Sequence, residues 1–105
     1  MKHKARFEAR LSKHGTTVYI NGTTPQKAFV RALDYATMSM YIDPGDWTFF
    51  IEPAYVLYMS ADVLLTPGSD SITYGGTSYG VQQAAKIYLA ETALAQLVII
   101  ANRDG

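Results

Sequence analysis

Ser71 to Val81, SITYGGTSYGV, is the stretch that leaves this chain the fewest choices. A two-residue hairpin turn of type I′ needs positive φ at both central positions, and glycine adopts it without steric cost. Gly75-Gly76 therefore predicts a hairpin tip. Tyr74 then faces Thr77, Ile72 faces Tyr79 and Asp70 faces Val81. Strand side chains alternate between faces. Ile72, Tyr74, Tyr79 and Val81 share one face with Thr77, while Ser71, Thr73, Ser78 and Gly80 share the other. One face suits a core and the other suits water. A flexible Gly-Gly linker is the competing reading, and the alternation on both flanks argues against it.

The chain has 105 residues, enough for one domain with a modest core. It has no cysteine, which excludes disulfides, thiolate zinc sites and cysteine nucleophiles. Its apolar runs, Leu97 to Ala101 among them, are too short to span a bilayer. The N-terminal MKHKARFEARLSKHG is basic and lacks the apolar stretch of a signal peptide. The expectation is a soluble intracellular protein with no membrane partner.

Net charge is zero, yet unevenly placed. Residues 1–14 carry Lys2, Lys4, Arg6, Arg10 and Lys13 against Glu8 alone, and the remainder has four basic residues against eight acidic ones. A basic end on an acidic body suits nucleic acid or an acidic neighbouring subunit. A solvated, frayed terminus is the plainer alternative. Charged residues make up only 17 % of a chain with eight tyrosines and four phenylalanines, so its surface must be unusually apolar or aromatic. Assembly into a larger object would account for that.

Along the chain, Lys4 to Lys13 predicts a short helix, with Phe7 and Leu11 four apart on one face and Gly15 ending it. Thr16 to Ile20 predicts a strand, and Asn21-Gly22 a two-residue hairpin turn after it. Pro25 belongs at a strand start or an edge. KAFVRALDY, Lys27 to Tyr35, alternates Ala28, Val30 and Ala32 against Phe29, Arg31 and Leu33, and leans to strand.

Residues 36–50, ATMSMYIDPGDWTFF, break the regularity around an Asp43-Pro44-Gly45-Asp46 turn. They fit either a long two-stranded excursion with an apolar skin or two core strands joined by a tight turn. Glu52-Pro53 then opens a strand over Ala54 to Ala61. There Tyr55, Leu57 and Met59 face one way and Val56, Tyr58 and Ser60 the other; bulk on both faces predicts cover on both sides. Pro67-Gly68 marks a further turn. Gln82 to Asn102 is ambiguous: its helix formers favour a helix, whereas Leu97-Val98-Ile99-Ile100 is a β-type run.

No catalytic constellation is visible. His3 and His14 have no neighbouring carboxylates at metal-ligand spacing. Asp43 and Asp46 suit turn capping, and the serines and threonines have no histidine partner at plausible spacing. No Gly-Lys-Ser/Thr follows Gly75-Gly76, so that turn is not a phosphate loop. The tyrosines stand in stretches nearly free of Lys and Arg, unlike a single-strand nucleic-acid binder. The expectation is no enzyme, no cofactor and no metal.

The order AYVLYMSA, a short segment ending in a turn, SITYGGTSYGV, then a last apolar strand ending in NRDG resembles the head-completion or head-closure proteins of long-tailed bacteriophages, the stoppers or head-to-tail joining proteins. The likeness covers roughly residues 54–105, and the front half fits more loosely. The resemblance implies a mainly β fold: one small β-barrel domain over 1–105, with a short N-terminal helix and a long inter-strand loop. It implies a structural ring, hexameric or dodecameric with the hexamer favoured, below the portal or its adaptor. A tail terminator or tail tube would lie beneath, with packaged DNA held non-specifically in the channel. Assembly in the host cytoplasm and residence in the virion neck follow. Residues 36–50 would be the projecting loop, with Met38, Met40, Tyr41, Asp43, Pro44, Gly45, Asp46 and Trp47 as its gating residues, though that loop lacks the Lys or Arg of a DNA-facing element. Lys2, Lys4, Arg6, Arg10 and Lys13 would supply charge contacts.

The resemblance also replaces the helix over 82–101 with β structure. The hairpin strand would end near Lys86, a crossing loop would occupy Ile87 to Ala93, and Leu94 to Asn102 would form the last strand. The alternatives are another neck or tail ring protein, such as a tail terminator, and a small β-barrel nucleic-acid-binding module.

Overall fold

The computed structural model of the chain describes residues 2–33 and 50–103. One helix, α1 (Lys2–His14), precedes six strands: β1 (Thr16–Ile20), β2 (Thr24–Ala32), β3 (Phe50–Met59), β4 (Ser71–Tyr74), β5 (Thr77–Leu89) and β6 (Thr92–Arg103). The strands close into an antiparallel barrel in the order β1-β2-β3-β6-β5-β4. The expected small β-barrel with a short N-terminal helix is therefore the fold. The loop at 36–50 lies outside the described residues, apart from Phe50, which already belongs to β3.

Each local signal has a local cause. In α1, Leu11 is buried and Phe7 packs edge-on against Phe29 of β2, with ring centroids 6.0 Å apart. The Gly15 N–H donates to the Leu11 carbonyl at 2.8 Å and closes the helix. A Cβ at Gly15 would stand 2.5 Å from that same oxygen, so the position has no room for a side chain. Asn21 and Gly22 take φ of 52° and 75°. The turn is three residues long rather than the expected two: Ile20 pairs with Thr24, and the Thr23 N–H donates to the Ile20 carbonyl within the turn. Pro25 pairs with Tyr19 on β1, whereas β3 joins β2 only from Ala28 onward, so the missing N–H costs no ladder bond.

The Gly75-Gly76 hairpin forms in the expected register, Ile72 against Tyr79 and Tyr74 against Thr77, with φ of 61° and 84° at the tip. Beyond the ladder, the Val81 N–H donates to the Asp70 carbonyl at 3.0 Å. Ile72, Tyr79 and Val81 join Val18, Ile20, Ala28, Leu57, Met59, Val98 and Ile100 in the barrel core. Tyr55 meets Tyr74 and Tyr79 edge-to-face at 4.9 and 5.5 Å beside it. Burial is what pushes the Tyr55 hydroxyl above its ordinary pKa, helped by the two neighbouring phenols.

A second cluster lies on the outer side of β3 and β6: Leu33, Ala54, Val56, Leu97, Ile99 and Ala101, with Tyr58 packed against it. β3 is thus covered on both faces, as its bulk predicts. α1 packs over β6 and β2.

Three further sequence expectations are corrected. β3 spans Phe50–Met59 rather than Ala54–Ala61. Between Ile51 and Tyr55 three of its residues oppose only Ala101 of β6, and Pro53 falls inside that irregularity, which needs no ladder N–H from it. The helix that propensity favours over 82–101 does not form. β6 is buried on both faces from Ala95 to Ala101, and pairing with β3 and β5 outweighs the helix preference of Ala, Leu and Gln, which amounts to less than about 1 kcal/mol per residue. The crossing loop at Ile87–Ala93 is absent too: β5 runs to Leu89, β6 starts at Thr92, and Ala90-Glu91 is a two-residue turn with Ala90 at φ 55°.

Candidate functional site

The β5–β6 hairpin is the most distinctive surface. β5 pairs with β4 only up to Gly80, and from Gln82 to Leu89 its sole ladder partner is β6. Eight residues of strand span about 25 Å, so a long edge is left without a strand beside it. Two irregularities bend this arm. Gln82 is the extra residue on β5 and Leu94 the extra residue on β6. The Gln82 amide fills the first irregularity, donating through Nε2 to the Ala101 carbonyl at 2.7 Å and the Gly80 carbonyl at 3.3 Å. At the far end Ile87, Tyr88 and Leu89 are 39, 60 and 47 % exposed, three consecutive large apolar side chains in water.

The loop between β3 and β4 is braced from two sides. Gln96 on β6 is the buried polar residue among those described, and its Nε2 donates to the carbonyls of Ser60 at 2.8 Å and Val63 at 2.6 Å. From α1, Lys4 Nζ reaches Asp62 at 2.7 Å, and the Ser60 hydroxyl donates to Glu8 at 2.9 Å. The bond to Asp62 holds the Lys4 ammonium above its usual pKa.

Near the loop's end, the Thr66 N–H donates to Asp70 Oδ2 at 2.7 Å and Asn21 Nδ2 donates to Asp70 Oδ1 at 3.1 Å. The Thr66 N–H first, and the Asn21 amide second, hold the Asp70 carboxyl below the usual aspartate range. A depressed carboxylate pKa stabilises the fold above the unfolded-state pKa, and that stabilisation is lost as pH falls through the folded value. Asp70→Asn is therefore expected to lower the melting temperature at neutral pH and to flatten its decline below about pH 4. Thermal melts at stepped pH check this; parallel curves for the two proteins would assign the acid sensitivity to other groups.

The predicted charge-contact residues all fall on α1, and they do not act as one set. Lys4 is engaged by Asp62 in an exposed ion pair, whereas Arg6, Arg10 and Lys13 are exposed and pair with no described carboxylate. The gating residues Met38, Met40, Tyr41, Asp43, Pro44, Gly45, Asp46 and Trp47 lie outside the described residues. Gly75 and Gly76 form a turn with open space around them, a structural role. Sequence reasoning missed the open β5 edge because edge status depends on where β4 stops. It missed Gln96 because a lone glutamine in an apolar run carries no local signal of burial.

Among the described residues no group of three or more His, Asp or Glu lies together as a metal site would require. None of the described helices is long and apolar enough to cross a membrane. The chain matches no family model, no curated protein and no solved structure.

Proposed function

We propose that this protein is a non-enzymatic structural subunit that assembles as a closed ring in the neck of a long-tailed bacteriophage, below the portal or its adaptor. The observation that carries this reading is the β5 edge from Gln82 to Leu89, ending in exposed Ile87, Tyr88 and Leu89. A long apolar edge is a template for pairing with another chain, and monomeric proteins usually blunt it with charge, proline or cover. Here Lys86 is the one charged residue on that edge, and it contains no proline. A ring closes through a heterologous interface, one surface of each copy seated on a different surface of the next. An arm projecting past its own barrel is suited to that geometry. The order of strands that resembles the head-closure proteins supports the neck as the setting. Retention of DNA by residues 38–47, and a tail terminator or tail tube below the ring, belong to the same proposal.

The test is oligomeric state. Native mass spectrometry of the wild type is expected to give a single closed stoichiometry, six copies on this reading, visible as rings by electron microscopy. Tyr88→Lys with Leu89→Lys is expected to yield monomers with an unchanged melting temperature, because neither side chain belongs to the core. A wild type that stays monomeric at high concentration, or a double variant that still forms rings, would remove the arm from the interface.

A further inference from the structure

The basic and aromatic residues that are separated in the chain meet on one face of the fold. β2 turns Ala28 inward, so its neighbours Lys27, Phe29 and Arg31 point outward together. Lys27 and Arg31 are exposed, and Phe29 between them is partly so. α1 lies alongside and contributes Arg6, Phe7 and Arg10, with Phe7 set edge-on to Phe29 at 6.0 Å and 73°. Together with His3 these helix residues and Phe29 line an open groove of about 390 Å³. That falls within the size range of small-ligand clefts. No described carboxylate pairs with any of the four cations, although the same helix does place Lys4 on Asp62. Seven of the nine lysines and arginines of the chain lie before residue 32, so this end of the molecule carries most of its positive charge.

We propose that the α1–β2 groove binds single-stranded nucleic acid, with Arg6, Arg10, Lys27 and Arg31 on the phosphates and one base against the Phe7–Phe29 pair. Cations alone would suit any polyanion. The partly exposed aromatic pair between them favours a strand whose bases are unstacked, because every base offers a π-face and a duplex hides it. This inference does not depend on ring assembly, and the groove is built from different elements than the β5–β6 arm.

Fluorescence anisotropy with a labelled 12-nucleotide oligothymidylate tests it, beside a 12-base-pair duplex and polyglutamate of similar charge. For about three phosphates neutralised, single-strand affinity should fall about 18-fold between 50 and 200 mM salt. Arg6→Gln with Arg10→Gln should weaken binding about 10-fold or more at 50 mM and flatten the salt dependence. Phe29→Leu should weaken the single strand at least about fivefold while leaving duplex binding within about twofold. Arg6 and Arg10 are exposed and outside any ion pair with a described carboxylate, so the arginine variant is expected to keep the wild-type melting temperature and its arm holds even if Phe29→Leu destabilises the fold. No binding at 50 mM salt, or binding indifferent to both arginines, overturns the proposal. A duplex bound as tightly as the single strand overturns the aromatic contact, and polyglutamate bound as tightly assigns the face to an acidic protein surface instead.

Discussion

Ile99→Ala and Ile100→Ala are each expected to lower the unfolding free energy by about 2–5 kcal/mol. Both side chains are completely buried, but in different places. Ile100 fills the barrel interior beside Val18 and Leu57, and Ile99 packs on the outer side with Leu33 and Val56. Adjacent residues on a strand point to opposite faces, so two large effects in succession require cover on both. Truncation removes the transfer energy of three methyl or methylene groups and leaves a cavity that the dense surroundings fill only in part. Against a total stability of about 5–15 kcal/mol for a domain of this kind, either variant consumes a large share. Urea denaturation of the two single variants is the measurement. One large effect beside one near zero would mean that β6 has a wet face and that the outer cluster does not exist in solution.

The second large effect belongs to the hairpin tip. Gly75→Val with Gly76→Val is expected to cost about 2–4 kcal/mol, since the left-handed region costs a residue with a side chain roughly 1–2 kcal/mol. At φ of 61° and 84° the penalty comes from backbone conformation, because a Cβ at either glycine would meet nothing within 4 Å. For a domain of this length that is a drop in melting temperature of about 10–30 °C. Gly75→Asn serves as the control, since asparagine tolerates the left-handed region, and it should retain most of the stability. A double valine variant that melts like the wild type would show that the turn takes another form. The cost spreads beyond the tip, because the same hairpin delivers Ile72, Tyr79 and Val81 to the core and joins β1 to β5 around the barrel.

The proposed nucleic-acid groove and the proposed assembly arm show two different limits of sequence reading. The exposed run Ile87-Tyr88-Leu89 is plain in the sequence, but within a segment that could be helix it has no meaning as an edge. The basic residues of α1 are equally plain, yet the aromatic that would accompany them, Phe29, stands on another element. The stretches around the tyrosines are nearly free of Lys and Arg along the chain, yet the fold lines up Lys27, Phe29 and Arg31 on one face beside Arg6 and Arg10.

The features legible along the chain are those whose physics is local. Gly75-Gly76 specifies its two-residue turn and so its hairpin register, because few residues accept positive φ; Asn21-Gly22 marks where a turn falls but not its three-residue length. The β-branched run Thr16 to Ile20 is a strand, and Phe7 with Leu11 is the buried side of a short helix, because each period is visible within a few residues. The rest was set by contacts between segments far apart in the chain. Whether Gln82 to Asn102 is helix or strand depends on pairing between β6 and a β3 some forty residues away, a contact worth more than the preference of any single residue. Closure of the barrel decided which strand edge stays open, since β4 ends at Ser71–Tyr74 while β5 runs on to Leu89. Gln96 acquired its role only when the loop carbonyls of Ser60 and Val63 arrived over it, for a buried polar group is defined by the partners that the fold brings to it.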